Sequence, residues 1–205
     1  MQPPVFALYC KNVVDVQQYC ALGRQYLLIK SIYMMAENAA HNRRSIDEKQ
    51  TTGGARMIGI IDYDAGNIKS VEKALHYLGE ETVVSRDPQV LLNADKVILP
   101  GVGSFGDAMN NLNKFGLVPV IKEITDKGTP FLGICLGLQL LFESSDETPG
   151  VEGLGLLKGK IVKIPPAQGL KIPHMGWNSL HLQNDGRLFK GIPEETYVYF
   201  VHSYY

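Results

Sequence analysis

This 205-residue chain is poor in several things, and each shortage removes a class of protein. Net charge is almost absent, because 20 Lys and Arg stand against 21 Asp and Glu, a formal −1 at neutral pH. Such a balance lacks both the basic footprint of a nucleic-acid binder and the charge block of an acidic tail. Cysteine is scarce: Cys10, Cys20 and Cys135 form no metal-type pair, and an odd number argues against a simple disulfide framework. A reducing cytoplasm is the expected compartment. No apolar run approaches the roughly 18 residues of a membrane span. The amino terminus has neither the basic start nor the unbroken apolar stretch of a signal peptide. The length fits one domain with a sizeable core, so a soluble cytoplasmic protein is expected.

What is present becomes legible from Met57 onward. Ile58-Gly-Ile-Ile61 reads as a buried strand. Residues 67–78 put Ile68, Val71, Leu75 and Leu78 on one helical face, with Gly79 as a stop. Glu81-Thr-Val-Val84 and Lys96-Val-Ile-Leu99 read as further strands, and Asp87-Pro88 as an N-cap with proline at the first helical position. Phe105, Ala108, Met109 and Leu112 share one helical stripe; Leu117, Val120, Ile121 and Ile124 share the next, closed by Gly128. Strands separated by helices, with little polar alternation, predict a parallel sheet covered on both faces, whose reactive groups gather at the strands' carboxyl ends.

Beyond that, the pattern predicts short strands at 160–164, 179–182 and 196–201, punctuated by Pro165-Pro166 and Gly191-Ile-Pro193, as an added β segment at one edge. Residues 1–56 carry no motif. A helix within 13–35 is possible, followed by a polar stretch at 42–50. The clean strand start makes Met57 the expected natural beginning, with 1–56 an extension of unknown role; a helical appendage or transit peptide is the competing reading.

The chemistry concentrates in Gly133-Ile-Cys-Leu-Gly-Leu-Gln-Leu-Leu141. A cysteine stands between glycines where strand 131–134 turns into a helix over 136–142, the arrangement of a nucleophile elbow. At a helix N-terminus Cys135 is expected to favour its thiolate, the form that attacks carbonyl carbon. A buried core cysteine is the alternative. Pro100-Gly-Val-Gly103 follows another strand end, and its amides, with that of Leu136, could form an oxyanion hole. Taken alone, that tetrapeptide is just a loop; about thirty residues before the elbow it gains meaning.

Together the two motifs resemble the triad-type (class I) glutamine amidotransferases, which hydrolyse the side-chain amide of glutamine through a cysteine thioester. Four segments look like the glutaminase subunit of imidazole glycerol phosphate synthase: Ile60-Ile-Asp-Tyr-Asp-Ala-Gly-Asn-Ile68, Leu99-Pro-Gly-Val-Gly-Ser-Phe-Gly-Asp-Ala-Met109, Pro173-His-Met-Gly-Trp-Asn178 and Phe200-Val-His-Ser-Tyr-Tyr205. The resemblance covers residues 57–205 and implies a three-layer, flavodoxin-like α/β fold with a mostly parallel sheet, incomplete at its C-terminal end. It implies Cys135 as nucleophile, backbone amides of Val102, Gly103 and Leu136 at the oxyanion, and glutamine contacts from Gly101, Gln139, Ser203 and Tyr204. Met175, Gly176 and Trp177 are implied to meet a (β/α)8-barrel cyclase subunit. That partner takes the ammonia to make imidazole glycerol phosphate and AICAR in histidine biosynthesis. No metal or cofactor is implied. Without the resemblance, Gln139 reads as a helix-surface residue and Trp177 as structural.

One departure stands out. The family's catalytic histidine and glutamate lie in a His-Pro-Glu motif downstream of the segment matching 200–205, and this chain contains no His-x-Glu. His41 lies in the motif-free N-terminal stretch, His76 is expected on a helix surface, His181 within a strand, and His174 in the partner-facing motif. His202 belongs to a substrate-contact motif rather than a triad. The chain is therefore expected to be a glutaminase fragment cut before its triad partners; the alternative is a catalytically dead docking or regulatory subunit.

Overall fold

A computed structural model of the chain describes residues 5–6, 57–169, 171–181 and 191–205. The anticipated helix within 13–35 lies outside them. The described residues fall into two compact units, divided at Pro165, where two prolines interrupt the chain. One unit contains residues up to Ile164 together with Tyr204–Tyr205; the other spans 165–203.

The first unit is built on a parallel sheet. Its strands are β1 (Val5–Phe6), β2 (Met57–Ile61), β3 (Glu81–Ser85), β4 (Lys96–Leu99) and β5 (Phe131–Gly133), in the order β1-β5-β4-β2-β3. All neighbours run parallel, with Gly59 opposite Val97, Val97 opposite Phe131, and Val5 opposite Phe131 on β5's other side. The helices are α1 (Ile68–Tyr77), α2 (Pro88–Leu92), α3 (Phe105–Lys114) and α4 (Leu117–Asp126). Their starts follow from local chemistry. Asp87 accepts the Gln89 N–H at 2.8 Å, with Pro88 at the first helical position. Ser104 and Asp107 cap α3 reciprocally, Oγ accepting the Asp107 N–H and donating to its carboxylate at 2.7 Å.

The expected stripes are the core. Phe105, Ala108, Met109 and Leu112 of α3 pack with Leu117, Val120, Ile121 and Ile124 of α4 against Ile61, Val97, Leu99 and Phe131 of the sheet. Ile58, Ile60 and Ile98 alternate to the other side and are also buried, as are Val71, Ala74 and Leu75 of α1. Both faces are therefore covered. β3 departs from expectation: most of it is half-buried, because it is the sheet's edge.

Two further differences follow the elbow. Its helix, α5 (Leu136–Gln139), is one turn long instead of reaching residue 142. Beyond it Leu141 and Phe142 donate three residues back, to the Leu138 and Gln139 carbonyls at 3.1 Å each, so the four-residue ladder stops, and the Leu140, Leu141 and Phe142 carbonyls accept from Leu154, Leu157 and Gly155. Only Lys160–Ile161 of the expected strand over 160–164 forms a regular element, β7, which pairs with β6 (Ser144–Ser145). Val162 and Lys163 pair with residues 204–205.

The second unit holds an antiparallel pair, β8 (His174–Ser179) and β9 (Tyr197–His202). The strand expected at 179–182 is thus displaced to end where it was to begin, and Leu182 lies outside the described residues. His181 follows β8 instead of alternating within it, and approaches Glu194 at 3.6 Å.

Candidate active site

β4 and β5 lie side by side, so the loops at their carboxyl ends leave the sheet together. Ile134 donates its N–H to Leu99 O at 3.0 Å, and β5 then turns at Cys135. Cys135 has φ 55° and ψ −116°, a strained conformation for a residue with a side chain. The glycines on either side explain how so tight a turn fits. A Cβ on Gly133 would come within 2.7 Å of Gly137 O and Leu138 N, and one on Gly137 would overlap the Leu99 carbonyl oxygen. The elbow expected from the sequence is present, and its cysteine is exposed.

The loop Pro100–Gly103 packs backbone to backbone against that turn. A Cβ on Gly101 would lie 2.5 Å from Gly137 N and 3.0 Å from Leu136 C. Beyond it, Val102 is exposed, and Gly103 has φ +99° with open space around its α-carbon. Among the described residues, no backbone or side-chain acceptor takes the Val102 or Gly103 N–H. Gly101, Val102, Gly103, Cys135 and Leu136 are therefore gathered at one sheet end.

Gln139 and Tyr204, predicted separately as substrate contacts, also meet: the Gln139 amide donates to Tyr204 O at 3.3 Å. Tyr204 and Tyr205 are tied to the first unit through Val162 and Lys163. Ser203 belongs to the second unit, as do Met175, Gly176 and Trp177 of β8.

Electrostatics correct one expectation. Desolvation raises the Cys135 thiol above its ordinary value, and the Leu136 N–H draws it back only in part. A single helical turn supplies few aligned peptide dipoles, so the thiolate is not favoured as a longer helix would favour it. The histidines have other company. The exposed His76 meets Thr82 Oγ1 at 2.8 Å. His202 lies edge-on to His174 with ring centroids 5.6 Å apart.

Sequence reasoning missed Tyr63. Its side chain is fully buried, and its hydroxyl donates to Pro100 O at 2.8 Å. The sequence separation of 37 residues left no spacing signal to reveal that contact.

Comparison with known proteins agrees with this geometry. The family model described as glutamine amidotransferase class-I matches residues 59–205. The imidazole glycerol phosphate synthase subunit HisH of Moorella thermoacetica is 54% identical over 150 residues, covering 73% of this chain and 70% of that protein. The HisH subunits of Methanocaldococcus jannaschii and Aquifex aeolicus are 50% identical over 149 residues and 53% over 146. These alignments cover 73% and 71% of this chain, and 74% and 70% of those proteins. A crystal structure of a glutamine amidotransferase superposes with TM-score 0.55 at 18% identity, covering 74% of this chain and 72% of that one, a likeness of fold. With an elbow cysteine, a glycine loop against it and relatives at this level of identity, the chain belongs to the class-I glutamine amidotransferase family, among the HisH subunits of imidazole glycerol phosphate synthase.

Proposed function

We propose that the chain is the glutaminase subunit of an imidazole glycerol phosphate synthase, using Cys135 to release ammonia from glutamine. The observation that carries this reading is the strained Cys135 turn, with the Pro100–Gly103 loop packed against it. The Cys135 sulfur attacks the side-chain amide carbon, forming a C–S bond as the carbonyl electron pair moves onto oxygen. The Val102, Gly103 and Leu136 amides stabilise that oxyanion. Its collapse breaks the C–N bond, and the leaving nitrogen takes the proton that the thiol gave up and departs as ammonia. Water then hydrolyses the thioester to glutamate and frees the thiol. Gly101, Gln139 and Tyr204 hold the glutamine. Residues 57–205 carry this chemistry, and residues 1–56 are an extension of unknown role.

Ammonia passes to a cyclase subunit, a (β/α)8 barrel, which meets β8 and β9 through Met175, Gly176 and Trp177. Support comes from the hairpin itself: Met175, Tyr197, Tyr199 and Val201 are exposed, and strand alternation puts them on one face with Trp177. Among the described residues, no helix is long and apolar enough to cross a membrane.

Each half-reaction needs a general base, and none is supplied by a His-x-Glu in these 205 residues. The test is covalent labelling by a glutamine-analogue chloroketone, mapped by mass spectrometry. Labelling falls on Cys135 and disappears in Cys135→Ala; adduct elsewhere, or adduct persisting in the variant, overturns the assignment. Labelling at Cys135 combined with no ammonia release, even in complex with the cyclase subunit, favours the docking or regulatory reading.

A further inference from the structure

We propose that Tyr63 is a positioning residue for the oxyanion hole, holding the Pro100 carbonyl so that the following loop presents its amides beside Cys135. This rests on the glutaminase reading of that site.

The loop is held at its ends and open in the middle. At its far end Ser104 caps α3, and the Glu147 carboxylate accepts the Phe105 N–H at 2.7 Å. In its middle, Val102 is exposed, and among the described residues nothing lies within 4 Å of where a Cβ on Gly103 would sit. The direction of the Val102 and Gly103 amides is therefore set by how the ends are anchored. At the near end, the side-chain anchor is the 2.8 Å hydrogen bond from Tyr63 to Pro100 O.

Tyr63 suits that role for three reasons. It is fully buried, so it acts through Pro100 and not by touching substrate. Its hydroxyl would be 2.9 Å from a Cβ on Gly101, which places it beside the residue that leads into the hole as well. Its own loop is stiff: Arg86 bridges Asp62 at 2.8 Å and Asp64 at 2.6 Å, while Gly66 leaves only van der Waals room beside Pro100. Burial and the neighbouring Cys135 both push the phenol's pKa up, so the proton needed for donation stays on.

The test compares two electrophiles at Cys135 in the 205-residue chain, at about pH 9, where a fraction of even a raised thiol ionises without a base. A glutamine-analogue chloroketone places its carbonyl oxygen in the hole; iodoacetamide reads thiolate reactivity alone. In Tyr63→Phe the chloroketone rate should fall about tenfold, equivalent to about 1.4 kcal/mol, with the iodoacetamide rate within about twofold of the wild type. An unchanged ratio of the two rates overturns the proposal, as does an equal fall in both, which marks a purely structural role. A wild-type chain that iodoacetamide labels and the chloroketone does not would instead overturn the glutaminase reading beneath it. Should Tyr63→Phe fail to fold, a fluorotyrosine at position 63 keeps the ring's volume and strengthens its donation. A rate ratio that does not respond to it also overturns the proposal.

Discussion

Gly101 and Gly137 stand so close that a methyl group on Gly101 would lie 2.5 Å from the Gly137 backbone nitrogen. Main chain has nowhere to retreat when β4 and β5 are paired behind both loops. Gly101→Ala should therefore cost about 3 kcal/mol or more, from overpacking against backbone. Gly150→Ala provides the contrast: unlike Gly101 it has a positive φ, of +86°, but among the described residues no atom lies within 4 Å of the added carbon. Its cost should be limited to about 1 kcal/mol of backbone strain. Thermal or urea melts of both variants check this, and equal losses would show that the two loops do not pack as described.

Cys135 stores strain that glycine would relieve. At φ 55° and ψ −116° its backbone sits where a side chain costs about 1–3 kcal/mol. Glycine gives back about 0.5–1 kcal/mol through the greater freedom of the unfolded chain. Cys135→Gly should thus be about 1 kcal/mol more stable than Cys135→Ala, with both variants refusing the chloroketone. An alanine variant as stable as the glycine one would mean the elbow is not strained.

Much of the fold was legible because apolar periodicity and burial coincide there. The α3 and α4 stripes, the Asp87-Pro88 start and the elbow glycines each depend on neighbours within a few residues. Of the hairpin, β9 was read within a residue, at 196–201, whereas β8 was misplaced because its alternation is inverted. Met175 and the tyrosines Tyr197 and Tyr199 face outward while Asn178 is buried, so the apolar signal pointed away from the true strand. Tyr63 was hidden for another reason, since its partner is a carbonyl 37 residues away. The shortness of α5 was equally unreadable, because the segment just beyond it is held by contacts from far along the chain, the amides of Leu154, Gly155 and Leu157 taking the carbonyls of residues 140–142.

Trp177 separates a structural hairpin from a docking one. Its ring meets Tyr199 edge-on, with centroids 5.4 Å apart, on the hairpin's exposed face. Losing that aromatic pair costs about 0.5–1.5 kcal/mol of stability. If the same face docks the cyclase subunit, Trp177→Ala should also weaken association tenfold or more, about 1.4 kcal/mol. Met175→Ser, at a residue 61% exposed, should weaken association with a stability change within about 0.5 kcal/mol. Calorimetric titration with the cyclase subunit reads the first quantity and melting the second. Unaltered affinity in both variants would assign this face to something else.

Acid should loosen the hairpin through His174. Burial, and secondarily His202 across the ladder, hold its pKa below the ordinary 6.5. Its ring also stacks on Phe200, with centroids 4.9 Å apart. A histidine whose folded pKa is depressed binds its proton more readily once unfolded, so it contributes stability above the unfolded value. That contribution is lost as pH falls from about 6.5 through the lower folded value. Backbone amides of β8 and β9 should accordingly lose hydrogen-exchange protection below about pH 6.5, after correction for the intrinsic pH dependence of exchange. His174→Phe keeps a ring against Phe200 and removes the titrating group, so it should flatten that dependence. Loss of protection with the same pH profile in His174→Phe would transfer the effect to another group.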